Sequence, residues 1–267
     1  MNLTDRQNDI LTRAATQGRV SVDDLASQFA VTPQTIRRDL NELCGRGLLT
    51  RTYGGARPAN TISNVGYEER RELASEGKRR IAAAAARHIP DRSSLILNIG
   101  TTTEHVARAL YHRRDLVVIT NNLNVINILS GSPAKELIIA GGVVRQTDGG
   151  IVGEAAMEFI RNFKVDLAVI GASALDEDGA VLDFDYREVS VARAMIDCAR
   201  RTVLVADHNK FERRATVRIC DISQIDIFVT DAEPPPRFRQ ICQRHGVHLE
   251  VVGDPVDPDP LDDGELA

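Results

Sequence analysis

No run of 18 consecutive apolar residues occurs in this 267-residue chain, and its opening, MNLTDRQNDI, is polar. Neither a membrane span nor a secretory leader is therefore expected, and the protein is expected in the cytoplasm with no membrane partner. Cysteine is scarce: Cys44, Cys198, Cys220 and Cys242 are spaced too widely for a CxxC pair. That argues against a zinc site or a disulfide frame and for four reduced, separately packed thiols. His208 alone suggests no metal, no cofactor is implied, and no internal repeat is apparent. At 43% hydrophobic, the chain is long enough for a small module near 60 residues plus a second core of about 200.

The most informative segment is SVDDLASQFAVTPQTIRRDLNEL, Ser21 to Leu43. Val22, Leu25, Ala26 and Phe29 form one apolar stripe at helical spacing, and Ile36, Leu40 and Leu43 form another. Ser21 and Thr32 stand where N-cap side chains accept orphan amide protons, and Pro33 suits a first helical position. Two short helices joined by a tight turn follow. With Ile36, Leu40 and Leu43 facing inward, Gln34, Arg37, Arg38 and Asn41 face outward, with Thr32 and Thr35 at the helix start. This is a set suited to base edges and phosphates in a major groove. Ile10, Leu11 and Ala14 extend the period into a first helix from Thr4 to Thr16. LLTRTYGGAR, Leu48 to Arg57, reads as a hairpin around Gly54-Gly55, offering Arg51 and Tyr53. Three helices and a hairpin make a winged helix-turn-helix over residues 1–57. That module carries eight Lys/Arg against six Asp/Glu, whereas residues 58–267 carry 25 against 32, so positive charge is enriched where duplex DNA is the expected partner.

TPQTIRRDLNEL followed by TRTYGGA resembles the amino-terminal signature of the DeoR family of bacterial transcriptional repressors. The match of twelve consecutive residues is more specific than a generic helix-turn-helix pattern.

Residues 58–74, PANTISNVGYEERRELA, read as a linker whose end leads into the next helix. Residues 253–267, GDPVDPDPLDDGELA, carry six acidic residues and no basic one, the composition of a disordered tail. Between them, residues 75–252 alternate. Strands are expected at Leu95–Ile99, Leu116–Thr120, Leu137–Ala140, Leu167–Ile170, Val203–Ala206, Ile227–Thr230 and Val247–Val252. Helices are expected at Lys78–His88, Thr102–Tyr111, Leu123–Leu129, Gly153–Phe163, Arg187–Ala199 and Pro236–His245. Such alternation implies a largely parallel sheet with helices on both faces, and ligands bind beyond the carboxyl ends of its strands.

Those strand ends are chemically marked. Asn98, Gly100, Thr101, Thr102 and Thr103 open directly into a helix, forming a cradle for a phosphate or carboxylate. Asn121 and Asn122 end the second strand, and Gly141 and Gly142 the third. Gly171-Ala172-Ser173, Asp183 and Lys210 follow; carboxylates suit polyol hydroxyls and the lysine suits a phosphate.

This region also resembles the DeoR family, whose effector domain shares the fold of ribose-5-phosphate isomerase. ITNNLNV, AGGVVRQTDGGIVGEA, LDFDYREV and ADHNKF look most like the branch that answers to glycerol 3-phosphate, with Asn98 departing from the branch's Asp. The resemblance implies a repressor released from operator DNA by a phosphorylated metabolite, glycerol 3-phosphate being favoured and another sugar phosphate the alternative. An isomerase is a further class, but it draws two carboxylates from a D-G-A-D-E run, where this chain has Ile170-Gly171-Ala172-Ser173-Ala174. No catalytic residue is therefore assigned. A structural adaptor is the remaining class, and duplex-DNA binding discriminates against it. Operator recognition by repeated half-sites calls for a homodimer or homotetramer.

Overall fold

The computed structural model of the protein describes residues 3–17, 19–46, 48–58 and 67–253. It divides into two compact units, Met1–Asn64 and Val65–Ala267.

In the first unit, α1 (Asp5–Gln17), β1 (Val20–Ser21), α2 (Val22–Phe29), α3 (Pro33–Gly45), β2 (Leu49–Thr52) and β3 (Gly55–Pro58) follow in order. The strands pair antiparallel as β1-β3-β2. Both expected caps form: Ser21 Oγ accepts from Asp24 N at 3.1 Å, and Thr32 Oγ1 from Thr35 N at 3.3 Å, with Pro33 opening α3. These caps satisfy amides that the first helical turn cannot. Ile10, Leu25, Ile36, Leu40, Leu43 and Leu49 interlock in one small core. β1 is an addition to the expected elements, since two residues are too short to show a period.

The second unit begins with α4 (Tyr67–Glu72) and α5 (Ser75–Arg87). Of the linker expected at 58–74, residues 59–66 lie outside the described residues, and the end is helix α4. Residues 254–267 of the acidic tail lie outside as well. Strand and helix then alternate through β4 (Ser94–Leu97), α6 (Thr101–Ala109), β5 (Val117–Thr120), α7 (Leu123–Leu129) and β6 (Glu136–Ile139). A hairpin follows, β7 (Val143–Arg145) and β8 (Gly150–Val152), then α8 (Glu154–Ile160) and β9 (Val165–Ile170). Next come β10 (Ala174–Leu175), β11 (Ala180–Asp183), α9 (Tyr186–Cys198), β12 (Ala199–Val205) and β13 (Val217–Asp221). The chain continues through β14 (Ile227–Thr230), α10 (Pro236–His245) and β15 (His248–Val251).

Seven of these strands form one sheet, ordered β15-β14-β12-β9-β4-β5-β6, and every pair in it is parallel. Alternate residues divide between its faces. Leu95, Leu97, Leu167, Val169, Val203, Val205, Ile227 and Val229 pack toward α5, α6 and α7. Ile96 and Ala168 pack toward α8 and α9, while Leu204 and Phe228 meet Phe238 and Cys242 of α10. A strand buried on both sides must be apolar at every position, which is why these segments read as continuous runs. The sequence reading missed the β7–β8 hairpin and a small antiparallel sheet, β10-β11-β13. Their strands are two to five residues long and mix polar with apolar positions.

All four cysteines are free thiols. Burial pushes Cys220 up to about 12 and Cys242 up to about 11, and raises Cys44 and Cys198 as well. Among the described residues, no helix is long and apolar enough to cross a membrane.

Two glycines give the wing a test. A Cβ on Gly55 would stand 1.9 Å from the Val20 carbonyl oxygen, where β3 meets β1, whereas one on Gly45 would meet nothing within 4 Å. Gly55→Ala is expected to destabilise the first unit by about 1 to 3 kcal/mol, because backbone cannot yield as a side chain can. Gly45→Ala should be neutral or stabilising by up to ~1 kcal/mol. Hydrogen exchange at the α1 to α3 amides of the full chain reads both; equal protection in the two variants contradicts the packing.

Candidate functional site

The first unit presents a polar helix face. Gln34, Arg37, Arg38 and Asn41 of α3 are exposed and Thr35 is half-buried, while the Thr32 hydroxyl is committed to capping and lies 2.9 Å from that of Thr35. The acids of the same helix are paired. Asp39 is buried and accepts from Arg6 Nε at 2.6 Å, and Glu42 accepts from Gln7 Nε2 at 3.0 Å and pairs with Arg46. Arg37 and Arg38 thus face solvent on a helix whose carboxylates are engaged elsewhere. In the wing, exposed Arg51 donates to the Gly55 carbonyl at 3.2 Å, and Tyr53 at the tip is 81% exposed. The eight residues singled out for DNA therefore lie on α3 and its cap or on the wing.

In the second unit, a recess opens at the carboxyl ends of the strands. It is lined by Gly100 to Thr103 at the start of α6, Gly171 to Ser173 after β9, Asp183, Glu188, Lys210 and Arg70. Gly100 takes φ +146 at the N-cap of α6 and brings no side chain to it, leaving first-turn amides for an entering anion. Thr103 Oγ1 donates back to the Gly100 carbonyl at 2.7 Å, and all three threonines are buried.

Lys210 sits in a single 3-10 turn, His208–Glu212, and is 7% exposed. Burial pulls its pKa down to about 7, against the opposing pull of the Asp207 carboxylate. Glu188, on the first turn of α9, is raised to about 7 by burial and by the charge of Asp183, against the hold of Arg145. Arg145 organises the acidic wall. It donates to Asp148 at 2.8 and 2.6 Å, to Asp185 at 3.1 Å and to Glu188 at 2.6 Å. Despite burial, the Asp148 and Glu188 carboxylates hold its guanidinium more firmly protonated than usual.

Six of the eleven residues expected at the effector thus meet in one recess: Gly100, Thr101, Thr102, Thr103, Asp183 and Lys210. Five do not line it. Asn98 Oδ1 accepts from the next backbone amide, Ile99 N, at 2.7 Å. Asn121 donates to the Ile151 carbonyl at 2.9 Å, tying β5 to the hairpin, and Asn122 caps α7 through Asn124 N at 2.9 Å. Gly141 and Gly142 are exposed; Gly142, at φ +146, leads into β7. Asn98, Asn121 and Asn122 thus bond to neighbouring backbone, while Asn121 Oδ1 stays buried without a partner.

Sequence reasoning missed Arg70, Glu188 and Arg145. Arg70 fell within the stretch read as a linker, and six helical residues are too few to show a period. Glu188 had a usable signal: Asp185-Tyr186-Arg187-Glu188 carries an acid three residues after an N-cap, which marks a helix start at a strand end.

The DeoR-like helix-turn-helix domain matches residues 6–61, and the DeoR C terminal sensor domain matches residues 73–232. The glycerol-3-phosphate regulon repressor of Escherichia coli strain K12 is 44% identical over 251 residues, covering 94% of this chain and 100% of its own length. The HTH-type transcriptional repressor CsqR of the same strain is 39% identical over 244 residues, 91% of this chain and 94% of its own. Among solved structures, ribose 5-phosphate isomerase A from Methanocaldococcus jannaschii aligns with a TM-score of 0.39 and 15% identity. That alignment covers 52% of this chain and 55% of the isomerase, so this chain spans about half the solved structure's length. With both domains matched in order, and with repressors aligned along nearly the whole chain, the protein belongs to the DeoR family.

Proposed function

We propose that this chain is a cytoplasmic DNA-binding repressor, released from its operator by a small phosphorylated metabolite, and that the metabolite is glycerol 3-phosphate. The observation that carries the reading is the recess in which the uncapped first turn of α6 and the buried Lys210 lie together. A dianion there gains backbone amides, hydroxyls and an ammonium at once, and Asp183 can take a ligand hydroxyl. The 44% identity to a repressor named for glycerol 3-phosphate favours that compound. Release requires the ligand to prefer a state poorly matched to DNA; a coupling of roughly 1 to 3 kcal/mol changes affinity about 5 to 150-fold. A homodimer or homotetramer on repeated half-sites suits a module this small. Residues 1–57 are assigned to DNA and residues 75–252 to the effector.

The recess binds without chemistry in this reading. Its two carboxylates come from β11 and α9, not from the β9–β10 segment, and Glu188 is held by Arg145 at 2.6 Å. Purified protein should therefore turn over neither ribose 5-phosphate nor glucosamine 6-phosphate. Turnover that co-purifies with the chain through successive columns would overturn this.

Replacing Arg37 or Arg38 by Ala is expected to cost roughly 1 to 3 kcal/mol at the operator and to relax preference at one base position. Arg51→Ala should weaken all duplexes alike and flatten the salt dependence, as loss of a phosphate contact does. Electrophoretic titrations on matched and mutated operators separate the two; operator affinity unchanged in both α3 variants contradicts the assignment.

Glycerol 3-phosphate should release operator DNA where glycerol does not, and Lys210→Ala or Thr102→Ala should need far more of it. The pH dependence has a definite sign. An anion raises the pKa of Lys210 above its free value of about 7, so affinity is full below that value and falls as pH rises through it. Ionisation of Glu188 near pH 7 adds repulsion in the same direction. The phosphate loses its dianion below a pKa of about 6, so calorimetric affinity should peak between about pH 6 and 7. Affinity that climbs steadily from pH 6 to 9 contradicts this role for Lys210.

A further inference from the structure

The recess holds a second cation, and that cation belongs to the helix nearest the DNA-binding unit in sequence. Arg70 lies on α4, its side chain is 16% exposed, and its Nε is buried with no hydrogen-bond partner. Its ion-pair contact, Nη2 to Asp148 Oδ2, spans 3.8 Å, too long for a hydrogen bond. Asp148 is already taken by Arg145 at 2.8 and 2.6 Å. A buried donor that no protein acceptor reaches is costly, and beside an anion cradle Arg70 Nε is available to an anion.

The helix carrying Arg70 is gripped at both ends. Tyr67 donates its hydroxyl to the Glu104 carboxylate at 3.0 and 2.9 Å, and Glu104 lies on α6, whose first turn forms the cradle. Buried Lys78 donates its ammonium to the carbonyls of Arg70 and, at 2.6 Å, of Leu73, capping the end of α4. In chain order α4 is the first described element of the second unit.

We infer that Arg70 reads the effector's anion on behalf of the DNA-binding unit. An anion seated at Thr101 to Thr103 with Lys210 accepts from Nε and Nη2 of Arg70 as a bidentate pair, and α4 shifts with the guanidinium. Occupancy thereby reaches the segment that joins the two units. The inference rests on the reading of the recess as a phosphate site, and it adds the residue that converts binding into release. By reciprocity, operator DNA must weaken ligand binding by the same factor.

The test uses the full chain, with glycerol 3-phosphate and inorganic phosphate as probes. Two quantities are read for each variant: ligand Kd by calorimetry, and operator affinity at saturating ligand relative to the same variant without ligand. Arg70→Gln is expected to raise the Kd roughly tenfold or more and, even at saturation, to keep less than about a third of the wild-type release. Arg70→Lys, which retains the charge but lacks Nε, should fall between on both. A wild-type Kd in Arg70→Gln overturns the inference; so does a weakened Kd whose release is fully restored at saturation, because Arg70 then only grips. Should Arg70→Gln not fold, Arg70→Lys decides, and wild-type values in it overturn the inference. Loss of affinity in Lys210→Ala alone leaves the phosphate site standing without the relay, whereas wild-type protein that binds neither probe removes both.

Discussion

All seven strands of the central sheet run the same way, and that single direction governs the rest of the second unit. A parallel strand cannot return by a hairpin, so a crossover must lead to each next one, and the crossover helices cover both faces. Every carboxyl end then falls on one edge, where the loops after β4 and β9 and the turn holding Lys210 converge. The recess is thus a product of strand direction before it is a product of any particular side chain.

Charge at that edge is unevenly settled. Arg145 gathers Asp148, Asp185 and Glu188 with short bonds, so the acids on this wall arrive already paired. A buried charge is tolerable only with partners, and the acids have theirs. The cations are less well served. Lys210 has been pulled down to about 7 by burial, and Arg70 keeps an unused donor. An anion in the recess would meet both deficits at once, and the proposed preference for a phosphate over its neutral parent alcohol rests on that.

The first unit was almost wholly legible in the sequence, because short helices declare themselves through caps and stripes: Ser21, Thr32 and Pro33 mark the starts, and Ile36, Leu40 and Leu43 the buried side. The parallel sheet was legible for the opposite reason, its central strands carrying unbroken apolar runs such as Leu95–Leu97 and Val203–Val205. The elements lost were those without a period: β1, α4, the β7–β8 hairpin and the small sheet built on β11. The candidate site was half legible. Glycine and threonine at a strand end announce a cradle, but Asn98, Asn121 and Asn122 look identical in sequence whether an amide faces a ligand or a neighbouring backbone. Nor can sequence tell that Arg145, far from Glu188 in the chain, will be its partner.

The raised thiols carry a consequence for what the molecule can sense. Thiolate, not thiol, reacts with peroxide and with disulfides, and a group held near 12 offers on the order of one thiolate in a hundred thousand at neutral pH. Cys242, raised to about 11, is nearly as inert, and burial also pushes up Cys44 and Cys198. Oxidants therefore find little thiolate at Cys220 and Cys242. Cys220 and Cys242 are thereby withheld from the redox chemistry that an exposed, acidic thiol would undergo.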